Sequence, residues 1–444
     1  MDRHLTEGSI RRGIIGFAIP IFIGYLFQQL YNTADSLIVG NYLGENALAA
    51  VSSNAAFIYL FVGFFMGFAT GAGVVIARHI GADDPHQTAL AVHTTVAMGL
   101  AFSLLVSVTG VAVTPTVLRW MGTPPEVFTE SCKYLRIYFA GATGLVMYNM
   151  LVGILQASGD SRHPLIYLIA SSLVNVVLDV LFVAVFHMGV EGAAFATVLS
   201  QFLSMFLAAA RLMRLEGSIR VDLRRVRFDP DNLRYIVRNG LPTALQACVI
   251  DLSNLLIQSY INSFGNLAMA GIGASTKVEG FAFLPVTAFS MAVTTFVSQN
   301  MGARKYDRVR GGIRFGLLCT LATIELLGVA TFLFAPQIVG LFNRNPEVIR
   351  FGRGRTQVCA LFYCLVGFSH VASAVMRGLG KPMTPMVIML TCWCAVRILV
   401  LFTLGQAVHD IRLAFWIYPF TWALSSAVYA ILLKRIRVDR LEAA

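Results

Sequence analysis

Runs of about twenty mostly apolar residues recur along the whole chain, for example between Leu165 and Phe186. A helix of that length crosses the roughly 30 Å hydrocarbon core of a bilayer, whereas the strands of a membrane barrel produce short alternating segments. The mean hydropathy of +0.71, with 57% hydrophobic and 13% charged residues, is far above that of a soluble domain. The sequence therefore predicts an all-α integral membrane protein.

We predict twelve transmembrane helices in the inner (plasma) membrane, joined by short connections. Their approximate ranges are 13–39, 47–70, 88–112, 134–157, 164–186, 192–213, 241–262, 272–298, 313–335, 356–378, 385–404 and 412–433. The short basic segment before the first span shows no signal-cleavage pattern, so this span is expected in the mature protein.

The positions of Lys and Arg predict the orientation of these spans. Basic residues concentrate at the N-terminus, in loops after even-numbered spans and in the tail, which predicts that both termini are cytoplasmic. This bias explains most of the net charge of +11, so no nucleic-acid partner is expected. Four arginines around the predicted outer end of span 10 depart from the pattern: Arg344, Arg350, Arg353 and Arg355.

The two halves of the chain repeat at a constant offset of 221 residues. The aligned pairs include Gly44 with Gly265, Gly159 with Gly380 and Pro164 with Pro385. Because each half contributes six spans, both halves enter the membrane in the same direction, which is a parallel repeat. We expect the substrate path in a cleft between the two lobes. The predicted domains are an N-terminal six-helix lobe (1–213), a basic cytoplasmic linker (214–240) and a C-terminal six-helix lobe (241–444).

Two acidic residues lie inside predicted spans at similar depth. Asp35 shares a face of span 1 with Gln28 and Asn32, and Asp179 shares a face of span 5 with Asn175. An ionised carboxylate in mid-membrane costs at least about 2.5 kcal/mol. Carboxylate and amide oxygens suit a hard cation, and burial with mutual repulsion favours a proton on one carboxyl group. We therefore predict a cation or proton site, with structural bonding between helices as the simpler alternative.

The second half does not repeat these acids, because the offset brings Val400 to Asp179 and Leu256 to Asp35. Its own polar residues within predicted spans are Asp251, Asn254, Gln258, Glu279, Glu325 and Arg397. Asp251 is the strongest candidate, because span 7 repeats span 1 and its polar residues recur at helical spacing.

The remaining polar residues have simpler explanations. An ion pair between Glu279 and its neighbour Lys277 is as well supported as a role in the pathway, and Glu325 and Arg397 are equally explained by mutual neutralisation across helices. In span 4, Tyr138 and Asn149 are candidates for lining the cleft, although aromatic residues in such runs more often pack or anchor at the interface.

Other chemistry finds no support in the sequence. The seven cysteines form no CxxC pair, and the histidines show no metal-ligand spacing. No Walker motif, nucleophile elbow or zincin signature occurs. We therefore expect no cofactor, no enzymatic activity and no ATP-driven pumping by this chain.

Five segments taken together resemble the multidrug and toxic compound extrusion (MATE) family over nearly the whole chain. These segments are Asp35–Gly40, Gln156–Asp160, Asn175–Asp179, Gly192–Gln201 and Gln299–Ala303. The resemblance implies a twelve-helix, two-lobed exporter that exchanges inward-moving Na⁺ or H⁺ for organic, often cationic, drugs. It also implies that residues matching Asp35, Asn175, Asp179 and Thr197 bind the coupling cation, as metal ligands if that cation is Na⁺. Some relatives use a further acid in span 7, close to Asp251.

The leading hypothesis is a cation-coupled multidrug antiporter that works by alternating access and is expected to be monomeric. Its partners would be drugs or toxic organic compounds and the lipid bilayer. A flippase for lipid-linked precursors, which should have a strongly basic cleft, is the alternative; Arg397 is the one arginine placed deep in a predicted span. A membrane-embedded enzyme is a third hypothesis. The sequence leaves open the choice between Na⁺ and H⁺ and the identity of the substrate.

Overall fold

The computed structural model describes residues 5–436, without the side chains of 36, 37, 45, 46, 48–50, 52, 53, 55, 56 and 59. Within this range the chain is helical and contains no strand. The α-helices are α1 (Ile10–Leu43), α2 (Glu45–Gly81), α3 (Pro85–Trp120), α4 (Pro125–Ala140), α5 (Ala142–Ala157), α6 (Arg162–Asp179), α7 (Val190–Arg214), α8 (Pro230–Asn262), α9 (Asn266–Ala282), α10 (Leu284–Gly302), α11 (Tyr306–Leu333), α12 (Ala335–Gly340), α13 (Pro346–Ala360), α14 (Tyr363–Gly378), α15 (Met383–Met389), α16 (Val396–Ala407) and α17 (Ile411–Arg435). The predicted all-α membrane fold is confirmed.

The helix boundaries follow the repeat that the sequence predicted. When the 221-residue offset is added to their bounds, α5 coincides with α14 and α7 coincides with α17. Helix α2 coincides with α9 and α10 together, from the start of α9 to the end of α10. The turns repeat as well, because Gly44 and Gly265 have φ values of 83° and 91°, and Gly159 and Gly380 have values of 89° and 76°. Glycine adopts this left-handed region without steric cost. The repeated glycines therefore mark repeated turns.

Ten of the described helical segments are long and apolar enough to cross a membrane, and two bent helix pairs raise the number to as many as twelve. The prediction of uninterrupted helices over 134–157 and 356–378 was wrong. Helices α4 and α5 meet at 47° and α13 and α14 at 56°. Each bent span also begins earlier than predicted, at a proline in its first turn, Pro125 or Pro346. Proline is well tolerated there because that N–H has no helical partner.

Two spans contain a π-helical turn. Residues Val180–Val185 continue α6 in this form, and Leu390–Ala395 connect α15 to α16. The two turns are not at equivalent positions of the repeat, since the offset of 221 residues moves the first turn to 401–406 and the second is Leu390–Ala395. The first follows Asp179, and the second precedes Arg397. A π-helical turn changes which side chains share a helix face. The two repeats can therefore present different polar groups from otherwise equivalent helices.

The described chain forms two compact units. Unit 1 is Ile23–Ala244, and unit 2 combines Leu5–Phe22 with the residues from Leu245 onward. This partition differs from the predicted domains in two places: residues 5–22 group with unit 2, and residues 214–244 group with unit 1.

Hydrogen bonds explain why the linker region belongs to unit 1. The backbone N–H of Asp222 donates to Nε2 of His93 (3.1 Å), and that of Asp229 donates to the Thr94 hydroxyl (3.1 Å). Further along, Nδ2 of Asn232 donates to Oε1 of Gln87 (3.0 Å). The linker therefore packs on α3 as a folded segment.

The start of the described chain is bound to unit 2 in a similar way. The N–H of Leu5 donates to Oε1 of Gln299 at 2.9 Å, and Lys305 donates to the Thr6 carbonyl at 3.1 Å. Arg308 donates to the carbonyl groups of Leu5, Glu7 and Gly8 at 2.8–3.1 Å. This segment of turns and bends depends on side chains of unit 2 to satisfy its backbone groups.

Glycines allow the closest helix crossings in each unit. In unit 1, a Cβ on Gly71 of α2 would lie 2.2 Å from the Cα of Gly240 on α8. In unit 2, a Cβ on Gly271 of α9 would lie 2.4 Å from the carbonyl oxygen of Val348 on α13. Small residues of this kind let helix backbones approach closely in membranes, where packing drives association.

Candidate functional site

The two predicted acids of unit 1 come together. Asp179 is the last residue of α6, immediately before the π-helical turn, and is fully buried. The side chain of Asp35 on α1 is close enough to the Asp179 carboxyl group for the two charges to interact. Two ionised carboxylates at this separation would repel each other strongly. The pair therefore requires a proton or a bound cation to be stable.

Helices α4, α6 and α7 carry hydroxyl and amide side chains in the same part of unit 1. Tyr134 on α4 interacts with Thr197 on α7, and both carboxyl groups are close enough to act on Tyr134 electrostatically. Thr197 donates its proton to the Ala193 carbonyl at 3.0 Å, which leaves its oxygen lone pairs available. Asn175 lies one turn before Asp179 on α6 and is 2% exposed.

Several buried polar atoms of this site have no hydrogen-bond partner within the described part of the chain. They are both carboxylate oxygens of Asp179, Oδ1 of Asp35, and Oδ1 and Nδ2 of Asn175. Leaving one such group unpaired costs about 1–3 kcal/mol. A proton or a hard cation would satisfy the oxygens, since carboxylate, amide and hydroxyl oxygens are the ligands that hard cations prefer.

Tyr134 was missed by the sequence interpretation, although a signal for it exists. It lies one helical turn before Tyr138, and the two rings stack with their centroids 6.4 Å apart. The Tyr138 hydroxyl accepts a hydrogen bond from Nε2 of Gln201 at 3.5 Å. A pair of tyrosines at i and i+4 on a helix facing the acids could have indicated this second layer around the site.

The other candidates in unit 1 are Gln28 and Asn32 on α1 and Asn149 on α5. Gln28 and Asn32 are half-buried on α1, upstream of Asp35. Asn149 donates its amide to the Leu145 carbonyl of its own helix at 2.9 Å. Its amide is therefore engaged in a local backbone bond.

In unit 2, Glu279 forms a buried ion pair with Arg355, with Oε2 and NH2 2.7 Å apart. The alternative of a local pair with Lys277 was wrong, because that side chain lies over the Phe342 ring, 5.8 Å from its centroid. Arg355 also donates to the Ser275 hydroxyl at 2.9 Å. Side chains two residues apart on a helix do not face each other, whereas α9 and α13 pack together and bring Glu279 to Arg355.

The suggested neutralisation of Glu325 by Arg397 was also wrong. Arg397 is buried and donates to Thr421 (3.1 Å) and to Oδ1 of Asn254 (3.4 Å). Glu325 is exposed, and its carboxylate interacts with Cys364 instead.

The remaining candidates of unit 2 all lie on α8. Asp251 is half-buried, Asn254 is exposed, and the Gln258 amide donates to Oδ1 of Asn262 at 2.9 Å. Among the described residues, no carboxyl group acts on Asp251 as Asp179 acts on Asp35.

A repeated helical membrane fold with two interacting carboxyl groups inside its spans is typical of the class of multi-span membrane transporters. Comparison with known proteins identifies the family within this class. The MatE family model matches residues 20–181 and 242–403, and the chain belongs to this family of multidrug and toxic compound extrusion transporters.

Individual relatives match over almost their whole length. The chain is 27% identical to the probable multidrug resistance protein YoeA of Bacillus subtilis, with 98% of this chain and 97% of that protein covered. It is 25% identical to the FAD transporter of Shewanella oneidensis, with the same coverage. A solved structure described as the outward-facing conformation of a multidrug resistance MATE family transporter has a TM-score of 0.91 at 24% identity, covering 100% of this chain and 99% of that one.

Proposed function

We propose that this protein is a secondary active multidrug efflux transporter, which exports organic, often cationic, compounds in exchange for H⁺ or Na⁺ by alternating access. We place it in the inner membrane as a monomer with both termini in the cytoplasm. The observation that carries the proposal is the Asp35–Asp179 pair, in which Asp179 is buried, Asp35 is half-buried and three of the four carboxylate oxygens are buried without a partner among the described residues. A coupling ion needs a site whose charge changes on binding, and this pair provides one.

The coupling follows from the charge of the pair. With both carboxyl groups ionised, repulsion favours separation of the helix segments that carry them, α1 and the end of α6. A proton or Na⁺ between the carboxyl groups removes that repulsion, and Asn175, Thr197 and Tyr134 offer further oxygens to the bound ion. Two arrangements of α1 with different ion affinity then result. If the drug binds one arrangement better, ion and drug affinities are linked by the same free energy.

The substrate class is supported by what related proteins are named for. Relatives include probable multidrug resistance proteins and the multidrug export protein MepA of Staphylococcus aureus. The relative named as an FAD transporter extends the candidate substrates to organic anions. The flippase alternative has less support, because none of these names refers to a lipid precursor.

The experiment measures drug transport in proteoliposomes that is driven by an imposed Na⁺ gradient or by an imposed pH gradient, each tested separately. Substituting Asp35→Asn or Asp179→Asn preserves side-chain size and removes one titratable charge from the pair. We expect each variant to lose gradient-driven transport by roughly tenfold or more, since one charge-assisted interaction contributes about 1.5–3 kcal/mol. The gradient that drives drug transport by the unmodified protein identifies the coupling ion.

Glu191→Gln is the matched control. It removes one carboxylate from the same unit, but Glu191 is a partly exposed partner of Lys133 at 3.2 Å. Its transport should equal that of the unmodified protein. Gradient-driven efflux that is undiminished in Asp35→Asn, at equal protein amounts in the liposomes, would refute the assignment.

A further inference from the structure

Arg397 of unit 2 is buried without a carboxylate partner among the residues described. Arg397 is only 1% exposed and lies in a helical segment that is long and apolar enough to span the membrane. The neighbouring cation Arg355 differs, because Glu279 neutralises it. A buried cation without a counter-charge carries a large desolvation cost, and charged groups inside membranes mark substrate or ion sites by default.

The hydrogen bonds of Arg397 leave one edge of the guanidinium group without a strong acceptor. Nε donates to the Thr421 hydroxyl at 3.1 Å, which fixes the base of the group. NH1 has only a long bond of 3.4 Å to Oδ1 of Asn254, and NH2 has no partner within the described chain. The NH1–NH2 edge is the part of an arginine that binds the two oxygens of a carboxylate or phosphate side by side.

The surroundings of this edge suit an organic anion. The guanidinium carbon lies 4.6 Å from the Tyr418 ring centroid and 5.1 Å from that of Trp393, so aromatic rings hold the group in place. Asn254 itself is exposed on α8. An oxyanion that displaces this exposed amide from its 3.4 Å bond would take its place at NH1, next to the unpartnered NH2.

The internal repeat makes the charge at this position informative. The offset places Arg397 on Val176 and Val400 on Asp179, so equivalent helices carry a carboxylate in unit 1 and a guanidinium group one turn away in unit 2. A π-helical turn ends at Ala395, two residues before Arg397, and the Trp393 carbonyl inside it accepts a hydrogen bond from Ser253 of α8 at 2.6 Å. The repeat thus has opposite charge in its two copies.

We propose that the NH1–NH2 edge of Arg397, behind Asn254, is a binding site for the carboxylate or phosphate group of organic anions. The inference rests on the proposed function only in treating such anions as substrates. It adds that unit 2 recognises a substrate through its carboxylate or phosphate group.

The test compares two xanthene dyes of similar shape and opposite charge. The full chain in nanodiscs of zwitterionic lipid is titrated with fluorescein, a dianion above neutral pH, and with tetramethylrhodamine methyl ester, a cation. Fluorescence anisotropy is measured without any ion gradient and corrected for binding to empty nanodiscs. Binding measured in this way is independent of transport, so a failure of the proposed efflux function leaves this result interpretable.

We expect the unmodified protein to bind fluorescein and Arg397→Gln to bind it at least about tenfold more weakly, which corresponds to one charge-assisted bond. Arg397→Lys, which keeps the charge and loses the forked geometry, should be intermediate. Affinity for the cationic dye should not fall in either variant. Arg353→Gln, which removes an exposed arginine of the same unit, is the control and should bind fluorescein normally.

Asn254→Asp keeps the proposal falsifiable if substitution of Arg397 prevents folding. It is nearly isosteric, lies at an exposed position and places a carboxylate against NH1, so it should exclude fluorescein by neutralising Arg397 internally. The proposal is overturned if the unmodified protein does not bind fluorescein or if Asn254→Asp binds it undiminished. An equal loss of both dyes in Arg397→Gln would also overturn it, because that result indicates a structural role.

Discussion

Replacing Glu279 by Gln tests the buried ion pair that joins α9 to α13 in unit 2. The substitution preserves the size of the side chain and removes its charge. Arg355, a residue only 2% exposed, then lacks its counter-charge and keeps the Ser275 hydroxyl as a neutral partner. Arg355 keeps its positive charge in this variant, because an arginine does not deprotonate in a protein.

The expected magnitude follows from the burial of the pair. The two side chains are 2% and 9% exposed, so solvent screening reduces their interaction little. Removing one partner of a buried ion pair costs about 3–5 kcal/mol. At about 2–4 °C per kcal/mol for a unit of roughly this size, the apparent midpoint of thermal unfolding should fall by roughly 6–20 °C.

Tryptophan fluorescence of the purified full chain during heating is a suitable assay, because Trp393, Trp416 and Trp422 all lie in unit 2. Lys277→Gln is the matched control. It removes a charge from the same helix, but this lysine is exposed and its ammonium group lies over the Phe342 ring. Its loss should cost at most about 1 kcal/mol.

A double variant separates the value of the pair from the cost of breaking it. Glu279→Leu combined with Arg355→Met replaces both charges by apolar groups, and we expect this protein to regain most of the stability lost in Glu279→Gln. The reasoning is refuted if Glu279→Gln unfolds within 2 °C of the unmodified protein. A double variant less stable than Glu279→Gln would equally contradict it.

Two further predictions concern backbone packing and the N-terminal segment. Gly271→Ala should destabilise the protein by about 1–3 kcal/mol, as an over-packed core does, because the added Cβ meets backbone atoms of α13; Gly273→Ala on the same helix meets nothing within 4 Å and should be neutral or stabilising in the same thermal assay. Arg308→Ala should increase amide hydrogen exchange over residues 5–9 by tenfold or more, since it removes bonds to three carbonyl groups at about 1 kcal/mol each. Arg310→Ala removes a surface ion pair with the exposed Asp307 and should leave this exchange unchanged. Equal exchange in both variants would show that Arg308 does not hold the segment.

Most of the fold was predictable from the sequence for a simple reason. In a bilayer every backbone polar group must be satisfied within the chain, so long apolar runs can only be helices. The repeated glycines could also be located, since Gly44 and Gly265 occupy turns that require a positive φ. The bends at Gly141 and beyond Ala360 were not predictable, because hydropathy changes little where a span bends.

The choice of polar partners was decided by tertiary structure. Helical spacing places residues of one span on a common face, which was enough to single out Asp35 and Asp179 as acids that need a partner. It does not indicate which neighbouring helix a face meets. Glu279 therefore paired with Arg355, 76 residues away, and not with the adjacent lysine.

The amino-acid sequence by itself determined the class of protein, the helical architecture and the repeat, because these depend on the partition of side chains between water and hydrocarbon. Only the tertiary structure decided that Tyr134 joins the acids of unit 1 and that Arg397 of unit 2 lacks a counter-charge among the described residues. Both facts depend on helix crossings and on the position of a π-helical turn. Those features arise from close packing between helices, which no local pattern in the chain encodes.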